Sequence, residues 1–127
     1  MSRVVFDAGA LIALERDDRS LWAVLKLAAR RGTDVLVLAA AIAQTWRGGP
    51  TQARLSQALA HCTQSSFDTV AGEVGVLCGR AGTVDVCDAH VALVAARHGD
   101  VLYTSDPDDM RRLVSACGRR RPVIVRC

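Results

Sequence analysis

The chain has 127 residues, half hydrophobic and 23% charged, which is enough for one domain with a real core and excludes a disordered chain. Its apolar stretches, the longest being Val35 to Ala43 and Val91 to Ala96, are too short to cross a bilayer. With no basic-then-apolar leader before Asp7, a cytoplasmic protein without membrane contact is expected. The formal net charge of +3, carried by fifteen Arg and a single Lys against thirteen acids, is compatible with RNA phosphates or an acidic partner and selects neither.

The first element in chain order is the β-rich run Arg3 to Phe6 (RVVF), followed at once by Asp7, which can cap a short helix from Ala8 ending near Glu15. Ser20 is placed to cap a helix over Leu21 to Arg31, stopped by Gly32. The run Val35 to Leu38 (VLVL) reads as a second strand, and Trp46 stands at helical spacing from Ile42, as a packed core aromatic would. Thr51 is expected to cap Gln52 to Ala60, and Asp68 to open a helix towards Gly79. Val86 to His98 reads as a helix ending at Gly99, then comes the strand Val101 to Thr104 (VLYT). A helix over Pro107 to Cys117 ending at Gly118, the loop Arg119-Arg120-Arg121, and a last strand Val123 to Arg126 (VIVR) complete the chain.

These strands are continuous apolar runs, as expected where both faces of a sheet are covered. Strands alternating with helices predict right-handed βαβ crossovers: an α/β domain over residues 1 to 127, with a parallel sheet of four to five strands flanked by helices. In such sheets ligands bind beyond the carboxyl ends of the strands. Asp7 directly follows one strand and Asp106 lies two residues past another. Asp85 and Asp88 open the helix that leads into VLYT, so all four acids are expected at one rim.

Each acid also has a purely structural reading. Asp85-x-x-Asp88 and Asp106-Pro107-x-Asp109 both have the form of an N-cap followed by an acidic third residue. Capping alone explains neither a shared edge nor the repeated choice of Asp, since Ser, Thr and Asn cap about as well. Like charges gathered this closely raise one another's pKa unless a cation neutralises them. Hard oxygen ligands suit Mg²⁺ or Mn²⁺. The five cysteines are odd in number with no Cys-x-x-Cys pair, and His61, His90 and His98 lack ligand spacing, which argues against zinc or a disulfide framework.

The segments VVFDAGALIAL and TVDVCDAHVALVAARHGDVLYTSDPDDMRRL together resemble the PIN-domain family, and within it the VapC-type toxin ribonucleases of type II toxin–antitoxin systems. The resemblance spans nearly the whole chain. It implies a Rossmann-like sandwich and a Mg²⁺- or Mn²⁺-dependent endoribonuclease with Asp7, Asp88 and Asp106 as catalytic and metal-binding acids. Asp85 and Thr104 take supporting positions. It also implies an RNA substrate, a cognate VapB-type antitoxin and a homodimer. The family's Glu after the second strand is replaced here: the segment reads Ala43-Gln44-Thr45-Trp46-Arg47, and Gln44 brings a carbonyl but no charge. Glu15 is the candidate to compensate. Arg47, Arg16 and Arg80 are candidate RNA guides near the rim. Two other readings compete: a PIN-like module that binds RNA or a partner with little catalysis, and a receiver-like phosphoacceptor domain. A receiver should carry paired acids after the first strand and a Lys ending the last, whereas the only Lys is Lys26, inside a helix.

Overall fold

The computed structural model describes residues 3–98, 100–118 and 121–127. Five strands form one all-parallel sheet: β1 (Val4–Phe6), β2 (Val35–Leu38), β3 (Thr63–Ser65), β4 (Val101–Thr104) and β5 (Val123–Arg126), in the spatial order β3-β2-β1-β4-β5. Seven α-helices flank it among the described residues: α1 (Ala8–Glu15), α2 (Arg19–Arg31), α3 (Ala39–Thr45), α4 (Ala53–Leu59), α5 (Ala71–Ala81), α6 (Val86–His98) and α7 (Pro107–Cys117). The chain winds outward from β1 through β2 to β3, returns to β4 beside β1, then continues to β5. The topological switch therefore lies between β1 and β4, the crevice where open α/β sheets bind ligands. This order differs from the 2-1-3-4-5 of flavodoxin-like and receiver-like sheets.

Burial explains the strand sequences. Val5, Phe6, Val37, Leu38 and Leu102 are fully buried, covered by helices on both faces. Helix α6 is the most enclosed, with every residue from Ala89 to Ala96 buried. At the amino ends of the strands, Asp100 is fully buried and takes a two-pronged bond from Arg3 (Nη2 to Oδ2 2.7 Å, Nε to Oδ1 3.1 Å). Arg3 thus ties the β1 entry to β4 instead of extending the strand. Among the described residues no helix is long and apolar enough to cross a membrane.

Several local expectations are corrected. Helix α2 is capped by Asp18, whose carboxylate accepts from the Leu21 N–H at 3.0 Å, so the helix starts before Ser20. Thr51 caps nothing: a 3₁₀ turn over Pro50–Gln52 leads into α4 without a side-chain cap. Asp68 likewise opens only a 3₁₀ turn, Asp68–Val70. Helix α5 runs past Gly79 to Gly82, where φ of 68° gives the left-handed stop that glycine tolerates. Trp46 is 39% exposed rather than core, because α3 ends at Thr45 and Trp46 turns to extended backbone, leaving the helical spacing. Gly99, Arg119 and Arg120 lie outside the described residues.

Gln52 was unremarkable in the sequence and proves to be a buried hub. Its carbonyl accepts from the N–H groups of Arg47 (2.7 Å) and Gly48 (2.9 Å), and its amide donates to Thr45 O (2.7 Å) and Glu15 Oε1 (2.6 Å). All four bonding positions of the side chain are used. They fix the turn after α3 and fasten it to the end of α1.

Candidate active site

Asp7 emerges at the carboxyl end of β1, where its N–H donates to Tyr103 O (3.2 Å) and holds it level with the end of β4. It caps α1 by accepting from the Ala10 N–H (2.9 Å), so the capping reading is realised. Its carboxylate is 5% exposed, and the nearby Thr104 hydroxyl and the N–H groups of Ser105 and Gly9 also favour its charged form. Burial nevertheless outweighs these bonds and holds the Asp7 carboxyl above its ordinary range.

Thr104 is fully buried and joins two acids. Its oxygen accepts from the Asp106 N–H (3.0 Å), and its hydroxyl favours the charged form of Asp7. Asp106 in turn caps α7, accepting from the Asp109 N–H at 3.3 Å. Asp85 caps α6 in the same way through the Asp88 N–H (3.1 Å). The two Asp-x-x-Asp pairs therefore open two helices by one device.

They also share a field. Asp88 is pushed up to about 7, first by burial, then by the charge of Asp85 and a side-chain hydrogen bond with it, then by the charges of Asp7 and Asp109. Asp109 is raised chiefly by its hydrogen bond with Asp106. The charges of Asp7, Asp85 and Asp109 thus reach Asp88, and Asp109, which the sequence presented only as half of a capping pair, also neighbours Asp106. Three helix N-termini, those of α1, α6 and α7, meet at this rim, and their positive ends offset part of the crowding of carboxylates.

The other two candidate positions lie on α3 and at the end of α1. Gln44 lies on the exposed flank of α3, and no hydrogen bond links it to the four aspartates among the described residues. Glu15 is held by Gln52 at the far end of α1. Arg16 is exposed at the α1 C-cap, and Arg47 turns back to bond Ala43 O and Trp46 O. Arg80 lies on α5 beside Val76 and Leu93. His90 is fully enclosed against the ring of Phe67, and neither of its nitrogens has a hydrogen-bond partner among the described residues.

A divalent cation fits the donor chemistry of this rim. Among the described residues Asp7, Asp85, Asp88 and Asp106 have no Arg or Lys ion-pair partner, and the charge on Asp88 is suppressed by its neighbours. No three His, Cys, Asp or Glu side chains among the described residues are gathered tightly enough to enclose an ion by themselves. An open carboxylate set suits Mg²⁺, which keeps several waters and takes one or two protein carboxylates with substrate phosphate.

Gly9 is the residue at this rim that the sequence concealed. A Cβ there would lie 2.2 Å from Ser105 Oγ and 3.1 Å from the Ser105 nitrogen, so α1 approaches the β4–α7 turn as only glycine permits. Gly9→Ala is expected to push Ser105 off Asp7 and to cost about 1–3 kcal/mol of stability. Adding Ser105→Gly should restore part of that loss; urea unfolding of the single and double variants checks both. No family model matches the chain, and no curated protein matches it.

Proposed function

We propose that the protein is a Mg²⁺- or Mn²⁺-dependent endoribonuclease, and that it is the toxin half of a toxin–antitoxin pair. The observation that carries the enzymatic reading is the approach of Asp88 to Asp7, Asp85 and Asp109 beside the β1/β4 switch, where burial first and then these charges raise the Asp88 carboxyl. Structural caps need no such common field. The toxin assignment, the antitoxin covering the acidic rim through an Arg-bearing tail, and the homodimer rest on the PIN-domain resemblance alone.

In this reading Asp7, Asp88 and Asp106 would hold the ion. When bound, it supplies Lewis-acid stabilisation of the phosphoryl oxygens and makes water a stronger nucleophile at neutral pH. The chain's own residues do the rest. The Ala10 N–H, with the Thr104 hydroxyl beside it, fixes the orientation of Asp7. Asp85, one turn before Asp88, accepts a hydrogen bond from the attacking water and orients it, and the water's proton passes to solvent. Water forms the new P–O bond as the bond to the 3′ oxygen breaks, leaving 5′-phosphate and 3′-hydroxyl ends.

One observation favours a second reading, a binding module with little catalysis: Gln44, on the exposed flank of α3, brings no charge. Incubating the purified protein with single-stranded RNA in Mn²⁺, Mg²⁺ or EDTA decides between them. Metal-dependent cuts with 5′-phosphate ends are expected, and intact RNA under all three conditions would remove the enzyme reading.

A further inference from the structure

An acidic rim repels the phosphates it is meant to cut, so an RNA strand needs cationic footing beside it. Helix α2 presents Arg19, Trp22 and Lys26 at a spacing of three and four residues, hence along one face. Opposite stands Arg54 on α4, and the cleft between them has a volume of about 590 Å³. Three cations line it against one carboxylate, Asp17. The Arg54–Asp17 contact is long, 3.9 Å, with both side chains more than half exposed, so it neutralises little. Arg19 and Lys26 have no ion-pair partner among the described residues. The contrast with α7 is plain: there Arg111 and Arg112 each meet an Asp one turn away. The indole N–H of Trp22 donates to Leu14 O at 3.1 Å, which fixes an aromatic surface in the cleft wall.

The α1–α2 corner bounds both this cleft and a hollow whose lining includes Gly9, two residues from Asp7. That second hollow, of about 380 Å³, lies between Gly9, Arg16, Asp18 and Ser105. Ser105 stands between Thr104 and Asp106. The corner Arg16-Asp17-Asp18-Arg19 supplies walls to both hollows. It is a fixed corner: the N–H groups of Arg16, Asp17 and Asp18 donate to Ile12, Leu14 and Ala13 carbonyls at 3.0, 3.1 and 2.9 Å.

We infer that single-stranded RNA leaves the acidic rim over the α1–α2 corner and lays its phosphodiester backbone in the cleft between α2 and α4. Arg19, Lys26 and Arg54 take phosphates there, and Trp22 offers a base its stacking surface. Cations combined with a fixed aromatic are the recognition set of a single strand; an acidic peptide would use the cations and leave Trp22 idle. The route across the rim rests on the nuclease reading. The cleft's affinity for RNA does not.

The test is binding of a labelled oligouridylate in EDTA, followed by fluorescence anisotropy over a series of KCl concentrations. Each phosphate contact on a single strand contributes about 0.7 to the slope of log affinity against log salt. The triple variant Arg19→Ala, Lys26→Ala, Arg54→Ala should therefore lower the slope by about 2. A control triple with the same charge change, Arg30→Ala, Arg31→Ala, Arg121→Ala, should keep it. Equal slopes for wild type and the first triple would overturn the inference, as would equal losses in both triples or no binding by the wild type. Polyglutamate binding more tightly than the oligouridylate, and lost in the first triple, would assign the cleft to an acidic protein partner instead. Cleavage in Mn²⁺, run in parallel, separates the two claims: cleavage with an unchanged slope ends the cleft assignment alone, and a changed slope without cleavage ends the nuclease reading alone.

Discussion

Asp7→Asn should leave a folded protein that no longer cuts RNA, with metal-dependent cleavage down by roughly 100-fold or more, beyond the loss expected for an outer partner of a metal site. The two halves of this expectation have separate physical grounds. Asn caps a helix about as well as Asp, so its oxygen can keep the Ala10 N–H and the start of α1. The new amide can donate to the Thr104 oxygen, which already serves as an acceptor for Asp106. Burial penalises the Asp7 carboxylate in the folded state, so removing the charge relieves a cost, and a stability change within about 1 kcal/mol is expected from these offsetting effects. What Asn cannot supply is negative charge at the switch between β1 and β4. Urea unfolding and an RNA cleavage assay on one preparation give both readings, and a variant that cuts at the wild-type rate would take Asp7 out of the chemistry. Asp7→Ala is the poorer probe because it also removes the cap, worth about 1 kcal/mol, and mixes the two effects.

What could be read from the sequence follows from which physics was local. β2, β4 and β5 were legible to the residue, since each is an apolar run bounded by a polar or helix-forming neighbour, and α6 and α7 were legible from their opening acids and apolar content. β3 was not, because Thr63–Ser65 is polar, short and paired on one side only; its place comes from main-chain bonds to β2. That Asp7 and Asp106 follow strand ends while Asp85 and Asp88 open a helix was legible once a parallel sheet was assumed, because topology alone puts strand ends and helix starts on one rim. Asp109 was missed for the opposite reason: its local role as the third residue of α7 fully accounted for it, and only the fold brings it into the field of Asp88. Gly9 and Gln52 act through residues 96 and 37 positions away in the chain, Ser105 and Glu15, and no spacing rule reaches that far. Gln44 could be judged from sequence only by type; its exposure on α3 is a property of the fold.

Asp88→Asn should stabilise the metal-free protein near neutral pH and abolish its stabilisation by Mn²⁺. The sign follows from proton binding. In the folded chain Asp88 is raised to about 7 from an ordinary 3.8, so between those values the folded state holds a proton that the unfolded state has lost. Stability from this group is therefore fully present below pH 4 and falls as pH rises through 7. Asp7, raised by burial, acts in the same direction. His90, lowered by burial and then by the charge of Arg97, acts in the opposite direction, because the unfolded imidazole takes up a proton below its ordinary 6.5. The wild-type curve alone mixes these trends. The difference between Asp88→Asn and wild type isolates the carboxyl: near zero at pH 4, it should grow in the variant's favour up to and beyond pH 7. Mn²⁺ reverses the ranking. At 100 times its dissociation constant a bound ion adds about 2.7 kcal/mol to the wild type, and the variant, short of one charged ligand, should gain little. Because the ion competes with the proton on Asp88, its apparent affinity should weaken below pH 7 towards about tenfold per pH unit. Thermal unfolding with and without Mn²⁺ at several pH values measures every part of this. A wild type whose melting is indifferent to Mn²⁺, or a variant stabilised as much as the wild type, would show that the four aspartates at the rim serve as helix caps and hold no ion.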